Sequence, residues 1–258
     1  MSEEKTYRLV VKLGTNVLTN TSGQLDIAVI KGIVSQVAQL KKDGHQIIMV
    51  SSGAVGAGMS QYNLHIEQDE AVKRQIYSAI GQVKLMNTYA EQFEQFGLVC
   101  AQVLATKEDF TGKEHYDNMK NCMIGLLQDD IIPIVNENDV VSLTELMFTD
   151  NDELAGLMAY MIRANKLALL TNVDGIFTEN GNTDTFLIEE VPLGDPSVYD
   201  HILASKSTGG RGGMKSKVDI ATRAAEKGIE TYIANGRSAN VLQQILDGDK
   251  IGTRFLAP

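Results

Sequence analysis

Tyr7-Arg8-Leu9-Val10-Val11-Lys12-Leu13-Gly14-Thr15-Asn16 is the stretch from which the fold of this chain is read. Its β-prone apolar run fits a buried strand that ends on a lysine and a small-residue loop. In α/β sheets, ligands sit beyond the carboxyl ends of the strands. A cation and bare backbone N–H groups at that point suit a phosphate. A second lysine-bearing glycine loop, Gly209-Gly210-Arg211-Gly212-Gly213-Met214-Lys215-Ser216-Lys217, lies far along the chain.

Outward from that stretch, residues 46–50, 98–104, 131–135, 167–171 and 230–234 also read as buried strands. Ile27, Ile30, Val34, Val37 and Leu40 recur at helical spacing, and Gly44 stands at a C-terminal cap position. Val72, Ile76, Ala79, Val83, Met86, Ala90 and Phe93 make a second stripe, ended by Gly97. Residues 115–128, 152–164 and 215–227 read as further helices. Strands alternating with helices predict a mainly parallel sheet covered on both faces. Pro133 conflicts locally with its strand, since it cannot donate to a ladder, and should sit at a start, bulge or edge. Residues 174–196 carry turn signals and predict an excursion with a hairpin near a ligand. No severable boundary shows, so a single domain is expected, loosely divided near residue 168.

The chain has 258 residues, is 43% hydrophobic and carries a formal charge of −10. That balance argues against a general nucleic-acid binder, which needs a basic face, but leaves room for a local cationic pocket. Cys100 and Cys122 sit among apolar neighbours and read as buried free thiols of a reducing cytoplasm. The acidic start Met1-Ser2-Glu3-Glu4-Lys5 predicts no signal peptide, and the apolar runs are strand-sized, predicting no membrane span.

Five strand ends carry polar or glycine loops: Lys12–Asn16, Ser51-Ser52-Gly53-Ala54, Asn136-Glu137-Asn138-Asp139, Thr171-Asn172 and Ala234-Asn235-Gly236. In a parallel sheet these loops share one edge, and that convergence carries the functional reading. Gly14 and Gly53 let backbone N–H groups approach an anion. Lys12 and Lys217 suit charge spread over a transferring phosphoryl group, with Lys215 the other candidate on its loop. Against this stand ordinary strand-to-helix turns and solvated lysines. Asp150 reads as a helix cap. Asp152 suits a carboxylate that holds the two lysines, and Asp139 either folds its loop or holds a substrate ammonium. No Walker loop, dinucleotide fingerprint, nucleophile elbow or metal-spaced histidine set occurs.

Val10-Val11-Lys12-Leu13-Gly14-Thr15, Val50-Ser51-Ser52-Gly53-Ala54-Val55, Val135-Asn136-Glu137-Asn138-Asp139, Thr149-Asp150-Asn151-Asp152, Leu169-Leu170-Thr171 and Gly212-Gly213-Met214-Lys215-Ser216-Lys217, in this order, resemble the glutamate 5-kinase family of the amino acid kinase superfamily. The resemblance runs from about Tyr7 to Gly252-Thr253-Arg254-Phe255. It implies an αβα sandwich and phosphorylation of L-glutamate by ATP with Mg2+, the first step of proline synthesis. It implies that Lys12 and Lys217 contact phosphate and that Asp152 organises them. Ser52, Gly53, Asp139 and Asn151 match glutamate-binding positions. Gly14, Thr171, Asn172 and the loop Arg211, Gly212, Gly213, Met214, Lys215, Ser216, Lys217 match the nucleotide site. The N-terminal part to about 168 then takes the amino acid and residues 169–258 the nucleotide. A homo-oligomer (dimer or tetramer), inhibition by L-proline and transient contact with the downstream glutamyl phosphate reductase are family expectations. The rival readings are a sibling kinase for acetylglutamate, carbamate, aspartate or a nucleoside monophosphate, and a non-catalytic nucleotide sensor. The sequence departs from the family at Asn172, usually Asp, at Arg211, usually Thr, and in stopping without a PUA domain.

Overall fold

Strand β1 (Arg8–Leu13) lies inside the sheet, flanked in parallel by β2 (Gln46–Ser51) and β5 (Lys166–Thr171). The structure, a computed structural model, describes residues 6–65, 67–142, 148–178, 185–202 and 213–258. Leu9, Val11 and Leu13 enter one apolar layer and Val10 the other, as the two-residue period of a strand requires. Leu9 through Leu13 are all buried, which marks a strand covered on both faces.

The sheet has eight strands in the order β3 (Cys100–Ala105), β4 (Ile132–Glu137), β2, β1, β5, β7 (Glu230–Asn235), β8 (Thr253–Phe255), β6 (Glu190–Val191). The six strands from β3 to β7 are mutually parallel, while β8 runs antiparallel to β7. All six predicted strands form. The two short ones beyond β7 give no periodic signal, because two or three residues cannot show alternation.

On one face pack α1 (Thr15–Leu18), α2 (Ile27–Lys42), α3 (Ala54–Gln61), α4 (Glu70–Glu94) and α8 (Val241–Asp247). The other face carries α5 (Lys113–Gln128), α6 (Asn151–Met161) and α7 (Met214–Glu226). The result is the three-layer αβα sandwich with a mainly parallel sheet. Helix α2 shows why such helices form where they do. Asp26 caps Val29 N–H, two lysines face the C-terminal dipole, and Gly44 follows at φ +86°.

Two expectations, the buried face of α4 and the buried thiols, need correction. The buried face of α4 is Ser78, Gly81, Gln82, Leu85, Thr88, Tyr89 and Phe93, while Ala79, Val83 and Ala90 face solvent. The apolar stripe misplaces this face because α4 packs backbone-close on α3: a Cβ on Gly81 would lie 1.7 Å from Ala54 O, and one on Gly58 1.9 Å from Tyr77 O. Cys100 is only half-buried and Cys122 is exposed, so neither thiol is a core residue. Pro133 sits at a strand start. Ile132 N–H bonds Val99 O on the β3 side, so the nitrogen of Pro133 faces β2, whose ladder opens only at Ile134. In the excursion, Thr178 N–H bonds Phe186 O and Ile188 N–H bonds Ile176 O, so its two arms pair antiparallel. Among the described residues no helix is long and apolar enough to cross a membrane.

Candidate active site

The parallel strands β4, β2, β1, β5 and β7 are contiguous, so their polar ends line one edge. Lys12 lies on β1 and alternates with Leu13, which puts its side chain on the face covered by α6 and α7. There its Nζ meets Asp152 Oδ1 at 2.7 Å, and Lys217 Nζ meets Oδ2 of the same carboxylate at 2.9 Å. Asp152 has no exposed surface, and the two lysines are nearly as buried. Burial by itself would raise the Asp152 pKa, but the pull of Lys12 and then Lys217, with their hydrogen bonds, holds it below the usual carboxylate range. Burial pushes Lys12 down; Asp152 opposes that shift and the charge of Lys217 adds to it. Two ammoniums thus meet at one buried carboxylate.

Asp152 is placed by the start of α6. Asp150 caps the helix by accepting from Asp152 N–H and Glu153 N–H, at 2.9 and 3.0 Å. Its other oxygen accepts from Ser216 Oγ, which ties the start of α6 to the start of α7. Lys217 therefore points inward, whereas Lys215 is exposed and Met214 packs against the apolar layer of that face. Gly213 occupies the cap position of α7 in extended conformation. Gly14 follows β1, and an added Cβ there would stand 3.4 Å from Lys12 Nζ. Thr171 and Asn172 end β5 beside Lys12's strand, with Asn172 exposed and a long Thr171 Oγ1–Asn172 Oδ1 contact of 3.4 Å. Arg211 and Gly212 lie outside the described residues.

On the other side of β1 lies a pocket of about 300 Å3, lined by Ser52, Gly53, Asp139, Asn151 and neighbours. Gly53 turns the chain from β2 into α3 at φ +102°, a conformation that favours glycine. Asn151 Nδ2 donates to Ser52 Oγ at 2.9 Å and to Asn136 Oδ1 at 3.0 Å. Asn136 in turn donates to Gln82 Oε1 at 3.0 Å. Asp139 is held by α4: Arg74 donates to Oδ1 and Ser78 Oγ to Oδ2, the latter at 2.8 Å.

The structure thus joins Lys12, Lys217 and Asp152 in one cluster and Ser52, Gly53, Asp139 and Asn151 around one pocket. Sequence reading missed Arg74, Ser78 and Gln82. The available signal was a polar line at i, i+4, i+8 through the stripe of α4.

A model of the amino acid kinase family matches residues 7–235. The chain belongs to the amino acid kinase family. It is 45% identical over 250 residues to glutamate 5-kinase of Chlorobaculum tepidum, covering 97% of this chain and 69% of that one. It is also 45% identical over 261 residues to glutamate 5-kinase of Bacteroides thetaiotaomicron, covering 99% and 71%. By shape it is similar to carbamate kinase from Giardia lamblia bound to AMP-PNP, with TM-score 0.71 and 19% identity over 98% of this chain and 99% of that one. That likeness shows a shared fold.

Proposed function

We propose that this chain transfers the γ-phosphoryl group of ATP to the side-chain carboxylate of L-glutamate, giving L-glutamyl 5-phosphate and ADP, the first step of proline biosynthesis. The observation that carries the reading is the Lys12–Asp152–Lys217 cluster beside the pocket of Ser52, Asp139 and Asn151. The relatives named glutamate 5-kinase support the choice of substrate.

The chemistry asks little of a base. A side-chain carboxylate with a pKa of about 4.3 is ionised at neutral pH. One of its oxygens attacks the γ-phosphorus while the bond to the β-bridging oxygen breaks, and the electron pair leaves with ADP. The obstacle is repulsion between two anions, so positioning and cations supply the catalysis. Lys12 and Lys217 neutralise charge on the transferring group, and Asp152 fixes their aim. Ser52 and Asn151 orient the nucleophile, and Asp139 faces the substrate ammonium. Among the described residues no group of three His, Cys, Asp or Glu side chains could hold a metal. Mg2+ would arrive with the nucleotide and would screen the charge of its phosphate oxygens. Assembly as a dimer or tetramer, inhibition by L-proline and contact with a downstream reductase belong to the same reading. The test is glutamate-dependent ADP release with the acyl phosphate trapped by hydroxylamine. Hydroxamate formed with glutamate but not with acetylglutamate or aspartate supports it; release of ADP without hydroxamate contradicts it.

A further inference from the structure

Arg74 and Asp139 stand where two cavities meet. The inner one, of about 300 Å3, holds Ser52, Gly53 and Asn151; the outer, of about 780 Å3, opens toward His65 and Lys73. Both residues line both cavities. Arg74 Nε and Nη2 both donate to Asp139 Oδ1, at 3.1 and 2.8 Å, while Ser78 Oγ holds Oδ2. Nη1 stays outside this pairing. The Asp139 side chain is 6% exposed and that of Arg74 33%, so the acid is fixed and the guanidinium has room to swing.

An amino acid whose side-chain carboxylate faces the phosphate presents an ammonium and a second carboxylate at its other end. These two charges are adjacent, so their counter-charges must be adjacent as well. Among the described residues lining the inner pocket, Glu137, Asp139 and Asp150 are acids and Arg74 is the one cation. Resting on the reaction proposed above, we infer that the Arg74–Asp139 ion pair is the receptor for the amino-acid head of the substrate. The α-ammonium takes Asp139, and the guanidinium it displaces takes the α-carboxylate. One ion pair becomes two, and in the empty site neither charge is left unpaired. Arg74 therefore sets the preference for an α-carboxylate, and Asp139 the preference for an α-ammonium. A guanidinium suits this exchange because its planar fork can bind a carboxylate through two parallel hydrogen bonds.

The experiment compares the intact chain with Arg74→Ala and Arg74→Lys, each checked for an unchanged thermal midpoint. Glutamate KM and kcat are measured, with inhibition constants for 4-aminobutanoate, which lacks the α-carboxylate, and glutarate, which lacks the α-ammonium. The expected result for Arg74→Ala is a glutamate KM raised roughly 10- to 100-fold with kcat nearly unchanged. Glutarate should weaken in parallel, and 4-aminobutanoate should not. Arg74→Lys should fall between, and it carries the test alone if the alanine variant does not fold. A glutamate KM that stays or falls would show that Arg74 merely covers Asp139, and equal weakening of all three ligands would show a structural role; either overturns the inference. An intact chain without glutamate-dependent turnover would instead overturn the reaction itself.

Discussion

Two buried lysine clusters lie at opposite ends of neighbouring strands, and their difference separates structure from function. At the amino end of β5, Lys166 pairs with Glu230, donates to Ile245 O at 2.9 Å and lies over the rings of Tyr7 and Tyr232. Arg254 shares Glu230 and also approaches Glu190 at 3.6 Å. Two cations there meet two carboxylates. At the carboxyl end of β1, Lys12 and Lys217 divide a single carboxylate between them, and the Lys12 pKa is pushed down. In the first cluster the charges are matched within the fold. In the second, two ammoniums meet at the buried Asp152 carboxylate, which is where the proposed reaction puts a phosphate.

The largest effect expected is from Asp152→Asn, which strips both lysines of their shared partner. It should lower kcat on the order of 1000-fold and stability by about 3 kcal/mol, read by steady-state kinetics and denaturant melts. Next comes Lys217→Ala, expected to cost roughly 100-fold in kcat with glutamate KM little changed, because its contact strengthens as charge moves. A change confined to KM would count against that role. Lys166→Met should do the reverse: about 2 kcal/mol of stability lost, since Glu230 loses a partner, with kcat preserved. Loss of activity there without loss of stability would break the contrast between the two ends.

The smallest effect is in pH dependence, and the two groups act in different windows. Asp152 has a folded pKa below its unfolded value, so its contribution to stability is present above the unfolded pKa and lost as pH falls through the folded one. Lys12 is depressed as well, so the folded chain binds fewer protons than the unfolded chain as pH approaches the usual lysine value of about 10.4, and apo stability gains from that site as pH rises. A bound phosphate favours the charged form. Nucleotide affinity should therefore decline with rising pH below the ordinary lysine range, and Lys166→Met should leave that limb in place.

Much of the sheet was legible because its strands are buried on both faces and read as continuous apolar runs. Lys12 stood out as a cation at the end of an apolar strand, whereas Asp152 and Lys217, each in the first turn of a helix, stood out through the motifs that carry the family resemblance. The partners of Asp139 were not. Arg74, Ser78 and Gln82 lie inside a long helix whose apolar residues pointed to another face, and the Gly58 and Gly81 contacts that rotate α4 onto α3 depend on tertiary packing. Strands β6 and β8 escaped because their pairing depends on residues distant in sequence. The choice of Lys217 over Lys215 follows from the Asp150–Ser216 tie at the start of α7.

A crystal structure of the chain with a non-hydrolysable ATP analogue and L-glutamate decides whether the two lysines hold the transferring phosphate. The γ-phosphate oxygens are expected within about 3 Å of both Lys12 Nζ and Lys217 Nζ, with Asp152 still between the lysines. A γ-phosphate bound elsewhere, with the cluster closed on itself as the Lys166 cluster is, would contradict it.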